Sequence, residues 1–218
     1  MRPERKARIE AVAALRQPDL TVFMERVHKP HNVAAVIRTC DAVGVMRAHA
    51  VPGDDGLPRL NHTSQGAQRW VELVRHRDTA SGLKALQEQG FRLYAAHFSP
   101  VAVDFRTPDY SQPSAIVLGT EKFGVSAEAL GLVDQEIVIP MLGMSQSLNV
   151  SVATALILYE AQRQRAAAGM YEPRSLDHSP WRELAAGWIR RDLDRRKRPV
   201  AEPDPEWADS GDPDTEVP

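Results

Sequence analysis

Three short segments of the sequence place polar side chains where a predicted strand meets a predicted helix. The first segment, residues 32–44, is largely apolar but contains Asn32, Arg38 and Asp41. Arg38 and Asp41 are three residues apart, so on a helix they share one face and could pair. A surface ion pair would give the same spacing. This segment alone therefore leaves open whether Arg38 is a functional arginine.

The second segment, residues 116–126, reads Ile-Val-Leu-Gly-Thr-Glu-Lys-Phe-Gly-Val-Ser. A buried strand is predicted to end at Gly119, and Gly119 and Gly124 bracket Glu121. Glycine permits a ligand to approach the backbone closely, although a tight turn before a helix capped by Ser126 would have the same sequence. A dinucleotide site is disfavoured because the spacing is not G-x-G-x-x-G and no acid ends the expected later strand.

The third segment, residues 139–152, leaves a predicted strand through Pro140 and enters a loop that contains Gly143. A helix rich in capping residues follows, with Ser147 and Asn149 at its beginning. Backbone amides at the start of a helix favour anions and polar ligand atoms. A well-capped helix without a ligand is the simpler alternative for this segment.

Predicted strands and helices alternate through most of the chain. Hydrophobic patterning predicts strands at 20–27, 47–51, 71–74, 91–96, 115–119 and 136–139, and helices at 2–16, 33–43, 79–89, 147–165 and 180–198. Asn32 is the predicted N-cap of the second helix. The alternation predicts an α/β fold with a mainly parallel sheet and flanking helices. Ligands bind outside the carboxyl ends of such strands.

The charges are distributed unevenly along the 218 residues. Residues 199–218 contain seven acids, five prolines and no Lys or Arg, and are predicted to be a disordered acidic tail. The rest of the chain has 27 basic against 22 acidic residues, a net charge of +5. We expect a basic N-terminal helix at 1–19, a domain at 20–168 and a basic helical extension at 169–198. Basic ends suggest a polyanionic partner, or simply solvated helix faces.

The composition makes several other classes of protein improbable. A single cysteine, Cys40, allows neither an intrachain disulfide nor a cysteine zinc cage, which fits a reducing cytoplasm. The seven histidines show no metal-binding spacing. The longest apolar run is far too short for a membrane span. These observations predict a cytoplasmic protein with no metal and no membrane partner.

Taken together, in this order and spacing, the three segments resemble the motifs of SPOUT-class RNA 2′-O-ribose methyltransferases. The resemblance covers about residues 20–168. Further phrases resemble the TrmH-like members, which methylate guanosine 18 of tRNA: the basic N-terminal helix, Val-His-Lys-Pro-His-Asn at 27–32 and Glu-Ala-Gln-Arg-Gln-Arg at 160–165. The resemblance implies a C-terminal deep trefoil knot, a homodimer with a shared site, S-adenosylmethionine as cofactor and tRNA as partner.

Site residues follow from the same resemblance. The cofactor would be held, mostly through backbone groups, by Ala96, Leu118, Gly119, Ile139, Met141 and Leu148. Relatives often have a threonine where this chain has Ala96-His97, so one side-chain contact is not carried over. RNA would be bound by Arg8, His31, Arg163 and Arg165.

The implied reaction is attack of a ribose 2′-hydroxyl on the sulfonium methyl group, with Arg38 at the hydroxyl. A guanidinium group stays protonated near neutral pH and is a poor base, so we expect Arg38 to align and stabilise the developing alkoxide while an RNA phosphate takes the proton. Asn32 would position Arg38 or the ribose, and Glu121 would anchor its loop and orient Arg38. Ser147 and Asn149 would hold the knot loop and the target nucleotide.

Three alternatives remain at this point. The substrate could be ribosomal RNA or another tRNA position. The chain could be a non-catalytic RNA-binding relative, although the presence of the complete motif set disfavours that. An unrelated nucleotide-binding α/β enzyme is the third alternative.

Overall fold

Seven parallel strands form the centre of the computed structural model, which describes residues 1–53, 56, 66–120, 123–176 and 180–197. Their order across the sheet is β3-β2-β1-β6-β4-β7-β5, and each pair of neighbours is parallel. The strands are β1 Leu20–Glu25, β2 Arg47–Val51, β3 Glu72–Arg75, β4 Arg92–Ala96, β5 Val103–Asp104, β6 Ser114–Leu118 and β7 Gln135–Val138. The predicted parallel α/β fold is therefore confirmed.

The two most apolar strands lie at the centre of the sheet. All residues of β1 and β6 are buried, and Phe23 of β1 lies beside Val117 of β6. A strand covered by helices on both faces needs apolar residues at nearly every position. Continuous apolar runs thus identify the middle of the sheet, and the more polar β3 lies at one edge.

Six α-helices accompany the strands over the described residues: α1 Pro3–Ala14, α2 Pro30–Ala42, α3 Thr79–Glu88, α4 Ala127–Leu130, α5 Val150–Ala167 and α6 Trp181–Lys197. Sequence patterning missed β5 and offered the helix capped by Ser126, which is α4, only as an alternative, because elements of two and four residues are too short to show a period. No helix in the described part of the chain is long and apolar enough to cross a membrane.

The start of α2 differs from the prediction. Lys29 is its N-cap and Pro30 its first residue, whereas Asn32 lies inside the first turn with a buried side chain. Proline suits the first helical position because its fixed φ is already helical and its missing N–H would be unpaired there. Asn32 is therefore not the N-cap, and its polar group is directed inwards.

Helix α5 begins three residues later than predicted. Asn149 is its N-cap, with Oδ1 accepting a hydrogen bond of 2.8 Å from the Ser151 backbone N–H. Ser147 consequently belongs to the loop before the helix. Of the two capping residues in the third motif, only Asn149 caps α5.

The two predicted basic ends form one helical pair. Helices α1 and α6 pack together through Ile9, Ala13, Ala185 and Trp188, and Arg5 forms an ion pair of 3.1 Å with Asp192. The predicted domain boundaries and the trefoil knot stay predictions. The predicted acidic tail, 199–218, lies outside the described residues.

Candidate active site at the carboxyl edge of the sheet

A cavity of about 890 Å³ opens where β4 and β7 end, which is where a parallel sheet binds ligands. Its volume falls within the range of small-molecule and cofactor sites. Its wall combines the ends of three strands, β4, β5 and β7, with the loop at 139–148 and the first turns of α5: Ala96, His97, Phe98, Asp104, Ile137, Val138, Ile139, Pro140, Met141, Gly143, Ser145, Gln146, Ser147, Leu148, Ala153 and Ile157.

Four of the six residues predicted to hold the cofactor line this cavity, namely Ala96, Ile139, Met141 and Leu148. Leu118 and Gly119 are not among the described lining residues. Leu118 is buried in the hydrophobic core at the end of β6. The structure thus brings most of the predicted set together, while Leu118 and Gly119 are buried outside the described lining.

The backbone packing of its loop explains why position 119 is a glycine. A Cβ atom at this position would lie 1.9 Å from the Gly124 carbonyl oxygen and 2.2 Å from the Val125 nitrogen. Thr120 and Gly124 exchange two backbone hydrogen bonds of 3.0 and 2.8 Å, which close the loop tightly. Gly119 therefore allows close approach of the chain's own backbone. Glu121 lies outside the described residues, and its role stays a prediction.

Glu25 anchors the end of the glycine loop, and sequence reasoning missed it. Its buried carboxylate accepts hydrogen bonds from the Ser126 N–H (2.8 Å), the Ser126 hydroxyl (2.6 Å) and the Thr79 hydroxyl (2.9 Å). A buried carboxylate needs such partners. The sequence contained one indication of this role, a glutamate at the end of a strand whose other residues are mostly apolar.

The first and third motifs meet at a hydrogen bond between two asparagines. Asn149 Nδ2 donates to Asn32 Oδ1 at 3.2 Å, and Asn149 directly follows the cavity residues Ser147 and Leu148. Asn32 is 1% exposed, and its Nδ2 has no hydrogen-bond partner among the described residues. A buried donor left unpaired costs about 1–3 kcal/mol. Asn32 therefore holds a donor that a substrate could satisfy.

Arg38 lies on the exposed side of α2, and α2 packs against α5. Asp41, the expected partner of Arg38, instead pairs with Arg16, a fully buried residue. The exposed position suits an arginine that acts on a second molecule.

The predicted RNA-binding residues divide into two groups. Arg8 and His31 are exposed, and so is Arg163, which forms a 2.8 Å ion pair with Glu160. Arg165 is fully buried, pairs with Asp19 at 2.6 Å and donates to the carbonyl oxygens of three residues, Asp19, Tyr110 and Gln112. The prediction that Arg165 binds RNA is wrong, because its side chain is buried inside the protein. Two residues along an α-helix point in nearly opposite directions, which is why Arg163 is exposed and Arg165 is not.

One ionised carboxylate lies in the cavity wall. Hydrogen bonds from the Arg106 side chain, the nearer at 2.6 Å, and from its backbone N–H lower the pKa of Asp104 to about 2, so Asp104 stays ionised near neutral pH. Most of the wall is otherwise apolar. Within the described ranges, no group of His, Cys, Asp or Glu side chains is arranged to hold a metal ion.

A parallel α/β sheet with a cavity of this size at its carboxyl edge defines the class of α/β proteins that bind a small ligand there. More narrowly, the chain belongs to the SpoU rRNA Methylase family, whose family model matches residues 19–159.

Individual relatives agree with this family. The tRNA (guanosine(18)-2′-O)-methyltransferase of Thermus thermophilus is 54% identical over 187 residues, which are 86% of this chain and 96% of the relative. The crystal structure of the Aquifex aeolicus TrmH/SpoU tRNA modifying enzyme has a TM-score of 0.82 and 40% identity, covering 87% of this chain and 97% of that one. The methyltransferase AviRb of Streptomyces viridochromogenes, in complex with AdoMet, has a TM-score of 0.63 and 27% identity over 69% of this chain and 62% of its own.

Proposed function

We propose that this protein transfers a methyl group from S-adenosylmethionine to the ribose 2′-hydroxyl of guanosine 18 in tRNA. The observation that carries the proposal is the Asn32–Asn149 contact beside the cavity. It joins the helix that bears Arg38 to the loop that forms the cavity wall. The name of the Thermus thermophilus relative supports tRNA and guanosine 18 as the target. A tRNA substrate also favours a cytoplasmic location.

The chemistry of the cavity fits S-adenosylmethionine. An apolar wall formed by Ile137, Ile139 and Leu148 suits the flat base of a nucleoside, while the loop at 139–148, outside any helix or strand, offers backbone polar groups. When bound, this cofactor supplies a methyl group activated by a sulfonium centre. AviRb, a structural relative, binds AdoMet.

The chain's own residues orient the ribose and stabilise charge. Arg38 aligns the 2′-hydroxyl and stabilises the negative charge that develops on its oxygen, because a preoriented cation is most effective where charge appears. An RNA phosphate takes the hydroxyl proton. The unpaired Asn32 amide donor positions the ribose or Arg38, and Ser147 and Asn149 hold the loop and the nucleotide.

Binding of tRNA uses the exposed cations. Arg8, His31 and Arg163 are accessible to phosphates, and α1 and α6 carry further basic side chains close together. Phosphate contacts of this kind release counterions, so affinity falls as salt rises.

A homodimer completes the site in this proposal. Val152, Leu156 and Tyr159 form an exposed apolar stripe along α5, and Leu142 and Met144 before the helix are fully exposed. A contiguous apolar surface of this kind marks an interface. If a second copy covers it, Arg38 of one protomer reaches the cavity of its partner.

Complementation tests the shared site. We would mix a chain carrying Arg38→Ala with a chain carrying Ala153→Trp, which fills the cavity. Each homodimer is inactive, but a mixed dimer contains one intact site and recovers roughly a quarter to a half of the activity, depending on mixing. A fully active monomer in light scattering, or no recovery despite proven mixing, contradicts the shared site.

The chemical assignment is tested by mapping the methylated nucleotide. The protein is incubated with a tRNA transcript and methyl-labelled S-adenosylmethionine, and the product is digested and sequenced by mass spectrometry. We expect label only on the ribose of guanosine 18, and none in a transcript with 2′-deoxyguanosine at that position. The family name mentions rRNA, so ribosomal RNA serves as a competing substrate. Preferential methylation of ribosomal RNA, or of another tRNA position, overturns the assignment.

A further inference from the structure

Arg16 lies two residues beyond α1 and is fully buried against the C-terminal end of α2. Its Nη1 donates to the carbonyl oxygens of Asp41 (3.2 Å) and Val45 (3.0 Å), and its Nη2 pairs with the Asp41 carboxylate. The last carbonyls of a helix have no partner within the helix and carry partial negative charge. The Arg16 guanidinium therefore fixes the end of α2.

The other side of Arg16 contacts the C-terminal extension. Its guanidinium lies 5.0 Å from the centre of the Trp188 ring of α6, a cation–π contact. Its backbone carbonyl oxygen accepts hydrogen bonds from the Arg174 side chain (2.7 Å) and from Trp181 Nε1 (3.4 Å). Arg16 is thus held between α2 and the helix that follows the sheet domain.

Helix α2 also carries Arg38, one turn before Asp41. We infer that Arg16 is a positioning residue that links the α1–α6 helical pair to the helix bearing Arg38, and so sets the orientation of Arg38 for methyl transfer. This inference rests on the proposed function. If Arg16 acts in this way, the C-terminal extension affects the rate of methyl transfer itself, in addition to any contact it makes with tRNA.

The contrasting explanation is that the Arg16–Asp41 pair only stabilises the fold, and the chain offers a matched control. In both the Arg16–Asp41 and the Arg165–Asp19 pairs, the arginine side chain is 0% exposed and the aspartate side chain 31% exposed. Arg165 contacts Gln17, Asp19, Tyr110 and Gln112, none of which lies on α2. A purely structural role predicts the same behaviour for both pairs.

The experiment compares Asp41→Asn with Asp19→Asn in the full chain. Each substitution keeps the shape of the side chain and removes its charge. We would measure the single-turnover rate of methyl transfer at saturating tRNA and S-adenosylmethionine, the affinity for each, and Tm. Positioning predicts at least about a tenfold slower transfer for Asp41→Asn with affinities unchanged, and a rate within about twofold of wild type for Asp19→Asn. Equal rate losses in the two variants, or none in Asp41→Asn, overturn the inference.

A second pair of variants changes Trp188, which contacts Arg16 on the side opposite Asp41. This pair keeps the inference testable if Asp41→Asn does not fold. Trp188→Phe keeps an aromatic face toward Arg16, whereas Trp188→Leu removes it. We expect Trp188→Leu to slow transfer several-fold more than Trp188→Phe at equal tRNA affinity, and equal rates would contradict the link. Wild-type protein in the same assay separates the two hypotheses, because a wild type that does not methylate tRNA refutes the proposed function before any variant is compared.

Discussion

Asn149 and Asn32 are 117 residues apart in the chain, yet their side-chain amides form a 3.2 Å hydrogen bond beside the cavity. The Asn149 oxygen is already used to cap α5, by accepting from Ser151. One side chain therefore both begins a helix and connects two motifs. Substitution can separate these two roles.

Asn149→Asp should keep the N-cap of α5 and disturb the hydrogen bond to Asn32. A carboxylate still accepts from Ser151 and is favoured at a helix N-terminus, but it cannot donate to Asn32, whose amide must rotate. We expect Tm to change little and single-turnover methyl transfer to fall by at least about tenfold. Asn149→Ala should lose the activity and also about 1 kcal/mol of stability from the missing cap. A wild-type rate in Asn149→Asp would show that the contact has no part in the reaction.

Arg163 and Arg165 are two residues apart on α5 and should behave in opposite ways. Arg165→Ala leaves Asp19 and several carbonyl oxygens without their buried partner, so we expect a loss of about 3–5 kcal/mol of stability and a Tm lower by roughly 10 °C. Arg163→Ala should change stability by less than about 0.5 kcal/mol because the Arg163 side chain in its ion pair with Glu160 is 67% exposed.

The same two variants are then compared in tRNA binding. Arg163→Ala should weaken binding several-fold and reduce the slope of log affinity against log salt by about 1, as expected for one lost phosphate contact. Filter binding at several salt concentrations measures this slope, with Tm as the second measurement. An unchanged Tm for Arg165→Ala would be inconsistent with its buried position.

Gly119→Ala tests whether the glycine loop depends on its close backbone contact. The added methyl group would overlap the Gly124 carbonyl, so the loop must open. Gly131→Ala is the matched control, because a Cβ there meets its nearest atoms at 3.5 Å, an ordinary contact. We expect thermal melting to show a Tm several degrees lower for Gly119→Ala and within about 2 °C of wild type for Gly131→Ala. Equal Tm values for the two variants would show that the loop does not depend on the close contact at Gly119.

His49 should make the fold sensitive to acid. Burial lowers the pKa of His49 to about 4, and the His76 ring, 2.8 Å away between nitrogens, and Arg47 contribute to the lowering. Because the folded-state pKa lies below that of the unfolded chain, this contribution to stability is complete above about pH 6.5 and is lost as pH falls toward 4.

The loss can be measured as Tm against pH. We expect about 1–3 kcal/mol less stability at pH 4 than at pH 7 from this residue. His49→Gln should flatten that part of the profile, whereas His28→Gln, at an exposed position, should leave the profile unchanged. A His49→Gln profile parallel to that of wild type would contradict the assignment.

The sequence predicted the sheet well because burial leaves a direct trace in composition. The apolar runs of β1 and β6 identify the two central strands, and β2 was predicted with its correct bounds. Short elements such as β5 and α4 left no periodic signal. Helix starts were less certain because Pro30 and Asn32, or Ser147 and Asn149, are all acceptable residues there, and only the packing decides between them.

At the candidate active site, the sequence motifs identified the segments that surround the cavity, but they did not show which side chains pair with one another. Four predicted cofactor residues lie on the cavity wall. Arg165 was misassigned because a basic pair near a helix end resembles an RNA-binding patch, and only tertiary structure shows that Asp19 and three carbonyl groups surround it. Glu25 and the Arg16–Asp41 pair depend on contacts between distant segments, for which no local pattern exists.

The most direct test of the proposed mechanism is single-turnover methyl transfer by Arg38→Ala, measured together with the affinity of that variant for S-adenosylmethionine. Because Arg38 lies on α2 and the cavity is formed by β4, β7, the following loop and α5, we expect cofactor affinity within about twofold of wild type. Transfer to guanosine 18 should be slower by a factor of about 10² or more, the usual loss when a charge-stabilising group is removed. Transfer at the wild-type rate, or loss of cofactor binding with an unchanged rate at saturation, would contradict the role assigned to Arg38.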